Sequence, residues 1–489
     1  MILAIIVAFS LLSLPGWALL GVSKTWKLYS PLQRWLLAFG LGLSVFPILF
    51  YMGRFFPQFR IGTNKLIVLL ILALLFIFVS FKKNWKEQIQ LDALEWMALA
   101  LFLIILFTRL WVVHLYPYPA WSDSLHHVLL TQLTAQNGRL PYTLEPYEPA
   151  NLSMYHLGLY AFTGSIMILA KVPATTALLV GAQFLNALNA SGIYLVLDRF
   201  VNRKAAIFGM LFVGLVSFQP AWYFNWGRFT QLSSQVLLPI AWLLTVEALY
   251  RSKEGIKLQL FWEVIFSSLT TASLFLLHFR VAGLYLPLLL ISTVVEYVAS
   301  IKSKYFWKMV GVLMLIGTLS LTLISPVLRD ALITYIGRSY GTTTVSESNV
   351  LSYFTYYPDT IFTIGLRRWV IYLLLVASLV GLVMKDRLVI EQGIWMVCLW
   401  AIGHFYLLPI RGLAFVNYTG IMIMFYIPAA IILGSIVGRV WDKLTGTKLY
   451  KNYKACLFLA FFITVSISAQ VRVTAIEGFR FFMTPQDEE

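Results

Sequence analysis

The chain has 489 residues, of which 60% are hydrophobic and 12% are charged, and its formal net charge is +16. About 25% of the residues of a soluble globular protein are charged, so this composition excludes that class. Apolar stretches of about 18 residues or more recur along the chain, and each is long enough to cross a hydrocarbon core roughly 30 Å thick. We therefore predict an all-α polytopic membrane protein. Its positive charge is then a sign of orientation in the membrane rather than of nucleic-acid binding.

The apolar stretches predict a bundle of about 14 transmembrane helices. The first stretch has neither a basic leading segment nor a cleavage site of small residues, so we expect a retained helix rather than a signal peptide. Cys398 and Cys456 both fall within apolar stretches, which gives no disulfide or cysteine-based metal pattern. In chain order, the predicted spans are 1–22, 32–52, 65–81, 93–115, 174–197, 205–224, 231–250, 260–277, 281–299, 307–328, 368–384, 390–409, 413–437 and 455–471.

Seven basic loops separate these spans, and we place them all on the cytoplasmic side. They hold 16 of the 18 lysines but, counting Arg34, only 6 of the 19 arginines. The other side and the helix interiors keep 13 arginines, whose planar guanidinium groups suit two-pronged binding of phosphate or carboxylate. Outward-facing arginines at helix ends are therefore expected to bind an anionic ligand; the alternative is that they reach up to lipid headgroups. The loops are 23–27, 82–86, 198–204, 251–257, 302–308, 385–387 and 438–454.

The apolar run 153–171 is not counted among the spans. Because loop 115–152 is placed outside and loop 198–204 inside, the chain between them crosses an odd number of times, and it is too short for three crossings. We predict that this run dips into the outer leaflet or lies along it, with its helix ending at Lys171 before Pro173. Both termini then lie outside. A fifteenth span is the alternative.

The distribution of polar residues divides the chain into four parts. Residues 1–92 form three accessory helices without a polar cluster, whereas 93–328 carry most of the polar signals and include the large outer loop 115–152. A second large outer loop, 329–367, precedes the C-terminal transmembrane helices of 368–489. Loops longer than about 15 residues in a compact protein are usually functional, so both outer loops are candidates for the site.

The first polar cluster follows the span that ends at residue 115. A new helix is expected from Ser122 or Asp123 to about Asn137, and either residue is a suitable N-cap. At three and four residues after Asp123, His126 and His127 place a histidine on the same helix face as the carboxylate. Capping alone is the alternative role for Asp123. An acidic residue this close to a membrane is costly, however, which favours a functional role.

The second cluster is the sequence FNWGRFTQLSSQ at 224–235. Arg228 and Gln231 are three residues apart and share a helix face, which Gln235 continues one turn further. Backbone N–H groups at the start of this helix are able to join an anion site. An interfacial belt of aromatic residues is the alternative; it explains the tryptophans here but not the arginine and glutamines.

Two further turns carry histidine with arginine. His278 and Arg280 lie between two apolar spans with almost no loop, and His404 and Arg411 are seven residues apart, so that a helix would place them on one face. If the outer turns converge, Arg228, Arg280 and Arg411 form a cationic cup that faces Asp123.

The loop 329–367 is rich in tyrosine, threonine and serine. Tyr357 and Asp359 are its candidates, because aromatic rings stack on sugar faces while hydroxyl and carboxylate groups bind sugar hydroxyls. An amphipathic segment in the outer leaflet is the alternative. The chain has no nucleotide-binding glycine motif and no His-Glu-x-x-His motif, so no cofactor is expected. An enzyme of this kind would take a donor that is itself carried by the membrane.

Four short motifs resemble the GT-C superfamily of integral-membrane glycosyltransferases, and more closely a prokaryotic branch with a D-x-x-H-H loop and a G-R-F-x-Q helix. The resemblance covers about 93–300 and rests on short motifs; the remainder matches by topology alone. The motifs are Trp121-Ser-Asp-Ser-Leu-His-His127, Tyr155-His-Leu-Gly158, Asp198-Arg-Phe-Val-Asn-Arg-Lys204 and Trp226-Gly-Arg-Phe-Thr-Gln-Leu232.

The resemblance implies a GT-C-like bundle with juxtamembrane helices on its outer face, in which 93–328 is the catalytic core. It implies transfer of a sugar from a polyprenyl-phosphate carrier to a glycan, lipid or protein acceptor, with inversion, at the outer face of the cell membrane. Asp123 matches the catalytic base of the family, and arginines such as Arg228 or Arg280 would stabilise the departing phosphate. Some members hold a metal with an acidic pair in this loop; His126 and His127 stand there instead, so a divalent metal stays open.

The expected substrate-binding residues are His126, His127, Arg228, Gln231, His278, Arg280, Arg411, Tyr357 and Asp359. Partners are the lipid-linked sugar donor, its acceptor and membrane lipids, and no nucleic acid. The alternative function is a transporter or flippase of a lipid-linked saccharide, which would show charged or broken helices near the middle of the membrane.

Overall fold

A computed structural model describes most of the chain. The described residues are 1–56, 58–83, 87, 90–116, 118–153, 155–254, 257–300, 305–339, 365–408, 418–445 and 447–474. Nearly all regular structure in them is helical; the exception is one antiparallel hairpin of two short strands, β1 (Thr143–Leu144) and β2 (Glu148–Asn151).

Eighteen α-helices follow one another in the described residues. They are α1 (Ile2–Ser23), α2 (Pro31–Met52), α3 (Thr63–Phe81), α4 (Ala93–Leu115), α5 (Ser122–Asn137), α6 (Gly158–Ala170), α7 (Ala174–Phe200), α8 (Arg203–Leu211), α9 (Phe229–Glu254), α10 (Lys257–Leu277), α11 (Phe279–Ser300), α12 (Phe306–Leu323), α13 (Ser325–Ser339), α14 (Arg368–Val383), α15 (Arg387–Gly403), α16 (Tyr418–Met422), α17 (Tyr426–Thr445) and α18 (Lys448–Thr474).

Twelve helices within the described residues are long and apolar enough to cross a membrane, which confirms an all-α polytopic membrane protein. The predicted spans at 368–384 and 390–409 correspond to α14 and α15, which have only 16 and 17 residues. At 1.5 Å per residue both are shorter than a core of roughly 30 Å. Helix α6 has 13 residues and reaches only about 20 Å. That length fits the predicted segment that does not cross, although its depth in a membrane stays a prediction.

The basic loops meet at one end of the bundle, which we call the Asp92 end. Arg203 pairs with Asp92, and Lys204 pairs with Asp442 at 2.8 Å. Lys253 and Arg387 both pair with Glu296. The first two contacts join the segments after α3 and α7 to the end of α17, and the other two join the ends of α9 and α11 to the loop after α14. The side of the membrane on which they lie stays a prediction.

The N-terminal helices are fixed to this same bundle. At the Asp92 end, Gln33 of α2 donates a hydrogen bond to Asp198 of α7 at 2.8 Å. At the opposite end, the Leu157 N–H group donates to the Tyr51 hydroxyl at 2.8 Å. Residues 1–92 therefore support the same core that carries the polar clusters. Helix α13 runs across the predicted boundary between residues 328 and 329.

Helices α5 and α6 lie side by side at the opposite end of the bundle, which we call the Asp123 end. His127 contacts Tyr160, and one turn further along both helices Thr131 contacts Thr163, so the two helices run in the same direction. Gly138 ends α5 with φ at +61°, a left-handed conformation that favours glycine. These two helices carry the candidate site.

Candidate functional site

Asp123 lies in the first turn of α5, on an exposed surface of the Asp123 end. The residue that precedes the helix is Trp121, with φ at +75°, and no side chain caps the helix N-terminus. The prediction that Ser122 or Asp123 caps this helix is therefore wrong. The carboxylate has no ion-pair partner among the described residues. A helix N-terminus favours negative charge, so Asp123 is held as an available carboxylate.

The two histidines of this helix have different surroundings. His126 is exposed, whereas His127 is buried, with Nδ1 at 2.5 Å from the Tyr160 hydroxyl and Nε2 at 2.7 Å from the Gly227 carbonyl oxygen. A carbonyl oxygen only accepts, so Nε2 carries the proton and the Tyr160 hydroxyl donates to Nδ1. Burial lowers the pKa of His127 to about 4. His127 is thus a buried, neutral side chain that links α5 to α6 and to the turn at Gly227. It is not free to bind substrate.

The turn at Gly227 brings Arg228 close to Asp123. Gly227 has φ at +57°, and an added Cβ would lie 2.6 Å from the Ser124 hydroxyl oxygen and 3.4 Å from the Asp123 Cβ. Only glycine meets both the left-handed backbone and this close approach without strain. The Gly-Arg pair singled out from the sequence therefore packs directly on the first turn of α5.

Tyr155 occupies the centre of the cluster. It is hydrogen-bonded to Tyr160, and burial raises the pKa of its phenol. The same pKa is raised by the charge of Asp123 and lowered by the charges of Arg280 and Arg228. One phenol therefore lies within electrostatic reach of all three charged candidates. The convergence assumed from sequence is present for Asp123, Arg228 and Arg280.

A pair of neutral histidines stands beside Tyr155. The His156 ring stacks on Tyr155, with centroids 4.3 Å apart, and lies 4.2 Å from the His278 ring. His156 Nε2 contacts the Thr230 hydroxyl at 3.0 Å, and His278 Nδ1 accepts from the Val281 N–H group at 3.3 Å. Burial lowers the pKa of His156 to about 3 and that of His278 well below its usual value. Both rings are uncharged at neutral pH, so the positive charge of the cluster comes from its arginines.

Arg228, Gln231, His278 and Arg280 line one pocket of about 250 Å³. Gln231 donates to the Gly420 carbonyl oxygen at 2.7 Å, which fixes one wall. Neither arginine forms an ion pair within the part of the chain that the structure describes, and the Arg280 Nε is buried without a hydrogen-bond partner there. Two guanidinium groups around a small pocket, without a carboxylate between them, are suited to an anion. At the Asp92 end, by contrast, the cationic side chains are paired with carboxylates.

An apolar pocket of about 490 Å³ opens beside this cluster. Tyr155 and His156 form its polar edge, and its remaining wall is mainly hydrophobic, with Phe275, Phe279 and Leu328 among its residues. Tyr155 lines this apolar pocket and lies within electrostatic reach of Arg228 and Arg280, which line the charged one. That arrangement suits a ligand with an anionic head and a hydrocarbon tail.

Gln235, which the sequence places one turn deeper on the face of Gln231, belongs to a different group of contacts. It donates to the Tyr223 hydroxyl at 2.7 Å and accepts from the Tyr426 hydroxyl at 2.8 Å. The Tyr426 hydroxyl also lies 2.8 Å from Asn189 Oδ1, so its single proton is shared between these two amide oxygens. These buried groups satisfy one another, and Gln235 therefore supports the helix packing below the pocket.

Three predicted site residues, Arg411, Tyr357 and Asp359, lie outside the described residues. Helix α15 ends at Gly403, one residue before His404. Within the described ranges, no group of three or more His, Cys, Asp or Glu side chains is arranged to hold a metal ion.

The sequence analysis did not assign roles to Tyr155, His156 and Tyr160, although the first two stand in a quoted motif. The sequence feature that could have drawn attention to them is a tyrosine directly followed by a histidine at the start of an apolar helix. Their contacts reach residues 33 to 122 positions away, as with Tyr160 to His127 and His156 to His278. Such contacts follow from how α5, α6 and α10 pack, which local spacing does not give.

Comparison with protein-family models and with curated proteins finds no match for this chain.

Proposed function

We propose that this protein is a membrane glycosyltransferase that transfers a sugar from a polyprenyl-phosphate carrier to an acceptor at the outer face of the membrane. The observation that carries the proposal is that Gly227 packs on the first turn of α5 beside Asp123, while the next residue, Arg228, lines one pocket together with Arg280. A carboxylate and two cations therefore lie at the same end of the bundle. A transfer from a lipid phosphate to a hydroxyl group requires those two kinds of group at one place.

Each group has one role in the proposed step. Asp123 takes the proton of an acceptor hydroxyl as its oxygen attacks the anomeric carbon of the sugar. A new carbon–oxygen bond forms, and the bond between that carbon and the phosphate oxygen breaks. The electron pair stays on the phosphate, where Arg228 and Arg280 stabilise the charge that it gains. A single displacement of this kind inverts the anomeric carbon.

The remaining features of the site support a lipid-borne donor. The apolar pocket bounded by Phe275, Phe279 and Leu328 suits the first units of a hydrocarbon carrier. His127 holds the Gly227 carbonyl oxygen and so keeps Arg228 beside Asp123. The neutral His156 and His278 rings leave the two guanidinium groups as the charge that meets the phosphate.

One observation favours the alternative, a transporter or flippase for a lipid-linked saccharide. Arg109 is only 2% exposed and lies within a candidate span, and the chain after α8 forms a π-helical turn at Phe212–Val216. Buried charges and broken helices inside a membrane are typical of transport pathways. A transporter, however, has no need of a carboxylate at the position of Asp123.

The proposal is tested with the purified full-length protein and labelled polyprenyl-phosphate sugars. Wild type is expected to release the carrier phosphate and to transfer the sugar. The Asp123→Asn variant is expected to do so at least about a hundredfold more slowly, the lower end of the effect of losing a general base. The matched control is Glu148→Gln, which makes the same change from carboxylate to amide at an exposed residue of β2. Equal transfer by wild type and Asp123→Asn, or binding of donor without any transfer, would contradict the proposal.

A second pair of variants separates binding from chemistry. Arg280→Gln removes one cation from the 250 Å³ pocket and is expected to weaken donor binding by about tenfold or more, since a charge-assisted hydrogen bond contributes roughly 1.5–3 kcal/mol. Asp123→Asn is expected to keep donor binding. If Arg280→Gln binds donor as wild type does, the arginine pocket is not the phosphate site.

A further inference from the structure

A second cationic pocket lies between α4, α7 and the end of α18, away from the residues assigned above. Its lining includes Arg109, Gln183, Trp222, Asn225 and Arg472. Arg109 lies in α4, and Arg472 lies 363 residues further along the chain, in α18. Neither residue belongs to the proposed catalytic site.

Both arginines are held rigidly by neutral oxygens. Arg109 donates from Nε to Asn186 Oδ1 at 2.9 Å and from Nη2 to the Gly214 carbonyl oxygen at 2.7 Å. Arg472 donates from Nε to the Leu215 carbonyl oxygen and from Nη2 to the Val216 carbonyl oxygen, each at 2.8 Å. No carboxylate pairs with either guanidinium within the described residues.

The carbonyl oxygens at the end of a helix account for part of the positive charge that is gathered at this pocket. The helix that contains the π-helical turn ends at Val216, where the last carbonyl oxygens of a helix lack partners within it. Cations near a helix C-terminus are favourable, but that effect is equivalent to only about half a negative charge. Two full positive charges facing the same pocket therefore exceed what the helix end neutralises.

Further groups remain available to a ligand. Arg472 Nη1 has no protein partner in the described part of the chain, and each guanidinium has five N–H donors in all. Gln183 is 1% exposed and lines the pocket, and its Oε1 is buried without a partner there. The two ends of that amide are nearly equivalent in shape, so turning it over would place its NH₂ donor where the unpaired oxygen now lies. A buried polar group left unsatisfied destabilises a fold unless a ligand bonds it.

We propose that this pocket binds a phosphate group, either free or as part of a lipid headgroup. A phosphate would supply the negative charge that the two arginines lack and would accept from Arg472 Nη1 and from the amide of Gln183. Trp222 and Phe224 line the rest of the pocket and suit an attached apolar group. The inference is independent of the glycosyltransferase proposal, because a transporter or a structural lipid site would use the same groups.

The test measures phosphate binding to the full-length protein in detergent. The starting variant is Arg280→Gln, in which the pocket near Asp123 has lost one cation. Phosphate binding at the Arg109–Arg472 pocket is thereby separated from binding near Asp123. Inorganic phosphate and dodecyl phosphate are titrated against chloride at equal ionic strength, with thermal unfolding as the readout. Stabilisation by both ligands indicates a site for free phosphate, and stabilisation by dodecyl phosphate alone indicates a lipid headgroup. Stabilisation by neither overturns the inference.

The decisive comparison adds Arg472→Gln to that starting variant. Arg472 is half-buried at the end of α18, so this change is better tolerated than Arg109→Gln, which disturbs buried contacts with Asn186 and Gly214. We expect phosphate affinity to fall by about tenfold or more when one charge-assisted contact is lost. Lys171→Gln, a change of charge at an exposed residue, is the control and is expected to leave affinity unchanged. Unchanged affinity in the Arg472→Gln variant would also overturn the inference.

Discussion

Acidification is expected to destabilise the protein through His127. Its folded pKa is about 4, below the ordinary value of 6.5, because the ring is buried; the charges of His126 and Arg228 lower it further. The unfolded chain binds a proton on this ring below about pH 6.5, whereas the folded chain does not until about pH 4. The stability that His127 contributes is therefore complete above pH 6.5 and is lost as the pH falls from 6.5 towards 4.

The size of the effect follows from these two pKa values. One unit of pKa difference corresponds to about 1.4 kcal/mol, and the full difference of about 2.5 units corresponds to roughly 3 kcal/mol. At about pH 4.5 most of this has been lost, and proton linkage gives a decrease of roughly 2–3 kcal/mol relative to neutral pH. Other groups titrate over the same interval, so the contribution of His127 must be isolated with a variant.

The assay compares the free energy of unfolding in mixed detergent micelles at about pH 7.5 and about pH 4.5. His127→Gln is expected to be less stable than wild type at neutral pH, because its contacts with Tyr160 and Gly227 are disrupted. On acidification it should lose roughly 2–3 kcal/mol less than wild type does. His126→Gln is the matched control, since His126 is exposed on the same helix, and it should lose as much as wild type. If His127→Gln loses as much as wild type, the buried neutral histidine is not the acid-sensitive group.

Two further changes test how the site is held. Gly227→Ala places a Cβ 2.6 Å from the Ser124 hydroxyl oxygen at a φ of +57° and is expected to lower the free energy of unfolding by at least about 1–2 kcal/mol. Gly317→Ala, whose Cβ would meet nothing within 4 Å, should cost nothing, and equal losses in both would refute the steric argument. Asp330→Asn breaks a buried pair with Arg54 at 2.9 Å and is expected to cost about 3–5 kcal/mol by chemical denaturation. Asp442→Asn, in an exposed pair with Lys204, should cost less than about 1 kcal/mol, and the reverse order would count against the burial argument.

The helical membrane architecture was predictable because it depends on local properties. An apolar run of about 20 residues identifies a spanning helix without knowledge of its neighbours. The grouping of the basic loops was predictable for the same reason, and Arg203 and Lys204 indeed meet the loops after α3 and α17. Exact helix ends were less predictable, as α15 shows: it begins at Arg387 and ends at Gly403, whereas the predicted span is 390–409. Apolar residues continue beyond Gly403, so composition alone overestimates how far this helix runs.

The candidate site was only partly predictable. Asp123, Arg228 and Arg280 could be selected because a charged residue is costly beside a membrane span, and that cost is visible in the sequence. The sequence did not show that His126 is exposed whereas His127 is buried. The rotation of α5 is set by its contact with α6, which buries the second histidine against Tyr160 and leaves the first exposed. The pair of Arg54 with Asp330, 276 residues apart, depends in the same way on tertiary packing.

The central claim is that Asp123 acts as a base beside a phosphate held by arginines. The most direct measurement is single-turnover transfer from a bound polyprenyl-phosphate sugar, with donor binding measured on the same samples, for wild type and Asp123→Asn. The account predicts that both proteins bind the donor and that the variant releases the carrier phosphate at least about a hundredfold more slowly. Equal rates of release, with donor bound to both, would contradict it.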